Sequence, residues 1–453
     1  VSTAAGLEAE LVAEIEELAE DLKVNLAEPP KAASAGVVLR APWTFAIAMN
    51  FSLRCASRVL CEILECEVES LDDVYRQVER LNWPGFFSID KTFSVNSNAT
   101  DTPIKTPSLT LKIKDALVDS FRRQTRERPS VDKDAPQVRV MARLHRRTLT
   151  VSLDTTGVPL AQRGYRVAGG DAPLNELLAA GLVRMTGWNL LCRELRKNEP
   201  QKIYFSRVDS PDKASATKTP KAGKADDETS AEKRRIPAEI PLVPEFFDPM
   251  CGTGTFSIEA ALQLLNRRPQ IERKFFAYMA LKTFPESALR QSESIRRLVR
   301  SQEISIVDAF DKISRYRRHA MGKSDSASGL AIPIYCSDID SAAVASARRN
   351  AEAAGVGKLI RFERADAKKF EAPAAEGILV MNPPYGVRLG EEEQLKAFYK
   401  TLGDNLKKNC RGWQAWILAG SDGLANSVGL RATRRKKVYN GGIECTWLQY
   451  VLF

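Results

Sequence analysis

The stretch Gly377-Ile378-Leu379-Val380-Met381-Asn382-Pro383-Pro384-Tyr385 decides how this chain is read. Its first five residues carry no polar side chain and end abruptly, the pattern of a strand buried on both faces. Two consecutive prolines then stop the hydrogen-bond ladder, because neither can donate to it, and stiffen the backbone. One side-chain amide, one free main-chain carbonyl and one aromatic ring are thereby placed at the carboxyl end of a strand. In open α/β sheets ligands bind at that end. The set suits a planar group carrying an exocyclic amine. Asn382 Oδ1 and the Pro383 carbonyl can accept its two N–H bonds while Tyr385 stacks on the ring.

The flanking sequence supplies a matching framework. From Glu245 the pattern runs strand, glycine turn, helix, strand. Phe246-Phe247 ends a strand, 256–265 is a helix, 332–336 a strand and 342–353 a helix. Residues 360–363 and 377–381 add two strands, and 415–418 with 445–453 close the sheet. This succession predicts a doubly wound, Rossmann-like α/β catalytic domain over 241–453.

Three further motifs fall at strand ends. Asp248-Pro249-Met250-Cys251-Gly252-Thr253-Gly254-Thr255 joins the first strand to its helix, and Gly252 and Gly254 permit a tight turn and close approach of a ligand. The helix behind it aims amide groups at the same place. No Gly-Lys-Ser/Thr follows, so this is not a phosphate loop. A dinucleotide fingerprint is met in part, with Ser257 in the third glycine position, and a purely structural turn is the lesser alternative. Asp338 ends the second strand, where an acid can accept both hydroxyls of a ribose or cap the next helix; Asp340 fits the cap better. Asp366 follows the third strand and is either an acceptor for an adenine amine or a solvated turn residue.

The first 157 residues mix short helices and strands into an α+β pattern rather than a βαβ series. Helices are predicted at 6–22, 45–64, 71–81 and 108–121, the last with Ser108 as a cap. Strands are predicted at 37–40 and 93–97, and 138–144 with 149–153 form a hairpin. A helical connector occupies 158–205, and 206–240 reads as a disordered insertion because 206–235 holds almost no large apolar residue. Residues 286–329 form a charged, mostly helical stretch. Trp83, Trp188, Trp413, Trp416 and Trp447 sit in apolar settings that predict core positions.

Among 453 residues the formal charge is +10, which fits a polyanionic partner or serves solubility alone. The basic run Arg431 to Lys437, placed just before the last strand, is either a phosphate contact or a solvated face. Eight cysteines without a C-x-x-C, and only two histidines, make no metal site and read as buried free thiols. No run reaches transmembrane length and the amino terminus is an acidic amphipathic pattern, so a reducing, cytoplasmic setting is expected.

Glycine turn, ribose acid, adenine acid and Asn-Pro-Pro-Tyr, in this order, resemble the class I S-adenosylmethionine-dependent methyltransferases that modify an amino nitrogen. Asp248-Pro-x-Cys-Gly-Thr-Gly-Thr, the run from Asn382 to Gly390 and Asn440-Gly-Gly-Ile-Glu-Cys445 look like the bacterial guanine-N2 methyltransferases of 23S ribosomal RNA. The Val131-Asp-Lys-Asp-Ala-Pro136 stretch, Leu153-Asp154 and Arg163-Gly-Tyr-Arg166 resemble that family's THUMP RNA-binding module and its junction. The resemblance implies a ferredoxin-like THUMP domain over 1–157, ribosomal RNA (23S) as partner and S-adenosyl-L-methionine as cofactor. Asn382, Pro383 and Tyr385 would be catalytic. Asp248, Cys251, Gly252, Thr253, Gly254, Thr255, Asp338, Asp366 and Asn382 would hold the cofactor. The insertion departs from the family pattern, and the chain carries one transferase domain where some relatives carry two. The alternatives are methylation of adenine N6 or another amino group, a THUMP protein with an idle transferase half, and a nicotinamide oxidoreductase. The last is disfavoured because no Tyr-Lys or His-acid set is visible.

Overall fold

The computed structural model describes residues 1–169, 174–197, 204–206, 239–241, 245–321, 333–385 and 392–452. The expected insertion lies almost wholly outside these residues; a short antiparallel pair, Tyr204–Ser206 with Glu239–Pro241, brackets it. Among the described residues no helix is long and apolar enough to cross a membrane.

The amino-terminal half is built on helices α1 (Glu8–Asp21), α2 (Trp43–Ser52), α3 (Leu71–Glu79) and α4 (Thr106–Thr125). They accompany strands β1 (Leu60–Glu67), β2 (Phe93–Thr100), β3 (Val138–His145) and β4 (Thr148–Asp154), in sheet order β1-β4-β3-β2. The predicted hairpin is β3–β4, antiparallel, while β2 runs parallel to β3. In β3 the even-numbered positions 138–144 are buried and the odd ones are not, so one face meets the helices.

Three expectations fail here. The predicted helix 45–64 is a helix only to Ser52 and becomes β1 from Leu60. The break has a tertiary cause: the buried carboxylate of Glu14 on α1 accepts the Arg54 and Cys55 amides at 2.8 and 2.9 Å, holding this stretch out of the helix. Helix α4 starts at Thr106, with Pro107 in its first turn, so Ser108 is inside it and caps nothing. All eight cysteines are free thiols, but Cys61 and Cys66 lie on the half-exposed β1 rather than in the core.

After α5 (Glu176–Met185) and α6 (Trp188–Leu195) the chain enters a seven-stranded sheet. Its strands are β5 (Phe246–Asp248), β6 (Ile334–Asp338), β7 (Ile360–Arg364), β8 (Gly377–Met381), β9 (Trp413–Ala419), β10 (Arg434–Asn440) and β11 (Ile443–Val451). The order is β7-β6-β5-β8-β9-β11-β10. The first five are parallel, and β11 pairs antiparallel with both β9 and β10. Helix α7 (Thr255–Leu264) follows β5, and α8 (Glu286–Arg300) and α9 (Ile306–Met321) precede β6. Helix α10 (Ser341–Ala353) follows β6, and α11 (Glu392–Asn409) links β8 to β9. The chain winds outward from β5 to β7 and then returns to β8 on the other side of β5. That reversal opens a crevice at the carboxyl ends of β5 and β8, where such sheets take ligands. The basic run 431–437 does precede the last strand, and from Arg434 it is itself a strand, the edge strand β10; Arg435, Lys436 and Lys437 on it are exposed. Charge on an edge also blocks stray strand pairing.

The two halves share a core. Phe276, Tyr278, Leu281, Phe284 and Ala288 follow α7 in sequence, yet they are buried among the apolar residues of the amino-terminal sheet. The main chain joins them, with Tyr278 N donating to Thr155 O at 2.9 Å. All five tryptophans singled out above are buried.

Candidate active site

Four adjacent parallel strands bring the motifs to one edge. Asp366 follows β7, Asp338 ends β6, the glycine turn follows β5 and Asn382 follows β8. The turn is tied down by its own main chain: Cys251 N donates to Ser337 O at 2.9 Å and Gly254 N to Cys251 O at 2.7 Å. Gly252 N donates to Asp338 Oδ2 at 2.9 Å, so Asp338 and the turn form one unit. The other Asp338 oxygen accepts Asp340 N at 3.0 Å, and Asp340 caps α10 through Ala342 N at 2.9 Å.

The two glycines do different jobs. Both have positive φ, +52° at Gly252 and +83° at Gly254. A Cβ at Gly252 would meet nothing within 4 Å, so open space lies over the turn. A Cβ at Gly254 would stand 3.0 Å from the Ala347 Cβ, so this glycine lets α7 approach α10. The side chains beside the glycines already have partners. The Cys251 thiol lies against Cys336, and together with burial this pushes it well above the usual thiol range. The Thr253 and Thr255 hydroxyls accept from Arg166, at 3.1 and 3.4 Å.

Polar atoms without partners gather at this edge. Among the described residues, Asp248 Oδ1, Ser337 Oγ and Asn382 Oδ1 are buried and accept no hydrogen bond. An unmet buried acceptor costs about 1–3 kcal/mol, a cost that a ligand can relieve. Asp248 is fully buried, which pushes its carboxyl up to about 8. Open space over Gly252 and three unmet acceptors around it fit a polar ligand with a cationic or N–H-bearing group.

Tyr385 lies half-buried beside Asn382. Its ring stands where a Cβ on Gly420 would lie 2.6 Å away, so only glycine fits there. Asn440 Nδ2, at the end of β10, donates to the Tyr385 hydroxyl at 2.7 Å. Burial holds the phenol at about 12, so it stays neutral. Asp366 spends one oxygen on its own turn, accepting Lys368 N at 2.9 Å, and among the described residues no hydrogen bond joins its side chain to the glycine turn. Residues 386–391, including the rest of the Asn382 to Gly390 motif, lie outside the described residues.

Reading strands and turns did not find the connector's part in this site. Arg166 and Asn350 hold the glycine turn from outside the sheet. Asn350 Oδ1 accepts Val167 N at 3.0 Å and Ala168 N at 2.9 Å, and its Nδ2 donates to Thr253 O at 3.1 Å. The Arg163-Gly-Tyr-Arg166 string was the one visible signal. Arg163 pairs with Glu259 on α7 at 2.7 Å, both side chains almost fully buried.

A family model described as an RMKL-like methyltransferase domain matches 243–449, and a THUMP domain model matches 68–154. A Synechocystis sp. protein described provisionally as RNA methyltransferase slr0064 is 31% identical over 453 residues, covering 100% of this chain and 96% of that protein. Ribosomal RNA large subunit methyltransferase K/L of Shewanella sp. (strain W3-18-1) is 33% identical over 96% of this chain, but the chain spans only 51% of it. The solved structure of a possible methylase from Clostridium difficile 630 superposes with a TM-score of 0.70 at 26% identity, covering 100% of this chain and 97% of that one.

Proposed function

The chain belongs to the RMKL-like methyltransferase family that carries a THUMP domain, and from this premise we propose that it transfers a methyl group from S-adenosyl-L-methionine to guanine N2 in 23S ribosomal RNA. The observation that carries the reading is the unmet Asn382 Oδ1 at the carboxyl end of β8, beside a glycine turn with open space above it. The similar proteins named for RNA methylation support RNA as substrate.

The residues present fit the cofactor. The turn from Asp248 to Thr255, with Asp338, would hold it, and Asp366 is the candidate for its adenine. When bound, it supplies an electrophilic methyl group. The chain does the rest by placement. Asn382 Oδ1 and the Pro383 carbonyl accept the two N–H bonds of the exocyclic amine and aim its lone pair, which the ring otherwise delocalises. Alignment of this kind is worth up to ~7–11 kcal/mol in ideal cases. Tyr385, fixed by Asn440, offers the base a stacking face worth ~1–3 kcal/mol. That offsets part of the roughly few kcal/mol needed to unstack the base. No strong general base is needed, because the alkylated nitrogen becomes acidic. In this reading the 1–157 module supplies RNA affinity in the cytoplasm, and 241–453 supplies the chemistry.

The test is transfer of labelled methyl from S-adenosylmethionine to unmodified ribosomal RNA, followed by nucleoside mass spectrometry. N2-methylguanosine is the expected product. N6-methyladenosine would replace guanine by adenine in the same pocket, and no methylated nucleoside would refute the reading.

A further inference from the structure

We infer that Arg166, in the connector between the two halves, is a cofactor-binding residue that takes the carboxylate of the cofactor's methionine end. The inference rests on the S-adenosylmethionine reading above and goes beyond it, because Arg166 lies outside both 68–154 and 243–449.

A guanidinium has five N–H donors in a fixed fork. In Arg166 four are accounted for. Nε donates to Glu176 Oε1 at 2.9 Å, and Nη2 donates to Leu174 O at 2.9 Å and to Thr255 Oγ1 at 3.4 Å. Nη1 donates to Thr253 Oγ1 at 3.1 Å, and its second N–H has no partner among the described residues. The guanidinium therefore sits at the first turn of α7, against two of the residues of the glycine turn, with one donor to spare. Its side chain is 20% exposed, so the group is reachable but partly desolvated. The amide-rich start of α7 adds positive potential at the same point. Glu176 and the two threonines hold the fork in place, so it needs little reordering to receive a planar carboxylate, the geometry arginine suits best.

The connector thus contributes a side chain to a site otherwise formed by the carboxyl edge of the sheet. It also ties that site to the amino-terminal half, since Arg163, three residues earlier, donates to Arg54 O at 2.8 Å.

The experiment is isothermal calorimetry of the full chain with two probes, S-adenosylhomocysteine and 5′-methylthioadenosine. The second keeps the adenosine and the sulfur but lacks the amino-carboxylate end. Arg166→Ala should weaken S-adenosylhomocysteine roughly ten- to a hundredfold, the range for a hydrogen bond to a charged group. Affinity for 5′-methylthioadenosine should stay at the wild-type value. Arg166→Lys, which keeps the charge and loses the fork, should fall between and covers the case in which the alanine variant does not fold. Equal losses for both probes would mean that Arg166 merely shapes the turn, and no loss for either would remove it from the site; each overturns the inference. A wild-type chain that binds neither probe would instead overturn the cofactor reading, and the inference would fall with it.

Discussion

Two buried aspartates stand at the same place in the two halves of the chain and behave in opposite ways. Asp154 ends β4 and Asp248 ends β5, and each is almost fully buried. Asp154 is fully provided for: Arg58 pairs with it and the Thr156 amide donates to it at 2.9 Å. Asp248 has the Ser257 hydroxyl at 3.5 Å and leaves Oδ1 without a partner. Burial pushes both carboxyls up, and for Asp248 as far as about 8. A buried carboxylate that the fold satisfies holds structure together. One that the fold leaves unmet, in a crevice, is available to a ligand.

The sharpest way to break this comparison is at the satisfied member. Asp154→Ala leaves Arg58 with a half-buried, unmatched charge and should cost about 3–5 kcal/mol of stability, read by urea denaturation. The surviving folded protein should bind S-adenosylhomocysteine as before. A loss below ~1 kcal/mol, typical of an exposed pair, would show that Asp154 is not structural in this sense.

Next in size is the unmet edge itself. Asn382→Ala should keep the fold and cofactor affinity while turnover drops ~10²-fold or more, by analogy with losing one preorganised group from an oxyanion hole. Near wild-type turnover would remove Asn382 from the mechanism.

Asp248→Asn sharpens the contrast through pH. The folded carboxyl titrates near 8, above an unfolded value of about 3.9. The folded state thus binds this proton more tightly, and the stability it contributes is complete below about pH 4 and lost as pH rises through 8. Denaturation series between these limits should show that decline in the wild type and not in the asparagine variant. A cationic ligand beside Asp248 favours the ionised form. Binding of S-adenosylmethionine at pH 7 should therefore release protons, detected as a heat that varies with buffer ionisation enthalpy. Parallel pH profiles for the two proteins would contradict the assignment.

The smallest expected effect belongs to a residue that acts through another. Asn440→Ala removes the hydrogen bond to the Tyr385 hydroxyl, a loss of about 1 kcal/mol. It should appear in KM for RNA, with S-adenosylhomocysteine affinity unchanged. A change confined to the cofactor would place Tyr385 on the other side of the pocket.

Much of the site was legible because its parts are local. An apolar run bounded by prolines, a glycine turn between strand and helix, and an acid at a strand end are each written within about ten residues. Strand and turn chemistry act over such distances. The same locality explains the failures. Residues 45–64 carry a helical pattern throughout, yet Glu14 captures two amides in their middle from a different helix. The charged run in β10 gives no strand signal, because an edge strand can be polar on both faces and then shows no alternation.

By itself, then, the sequence determined the order of the strands and motifs, the α/β class of the second half and the residues offered at the sheet's carboxyl edge. Only the tertiary structure decided which of them meet. It set Arg166 on Thr253, 87 positions away, Asn350 on Val167, 183 away, and Asn440 on Tyr385, 55 away. It also placed Phe276 and Tyr278 of the catalytic half in the core of the other half. The reason is physical: backbone periodicity and turn preferences constrain near neighbours. A side-chain hydrogen bond across the chain exists only once two separately folded surfaces have been packed together and the water between them removed.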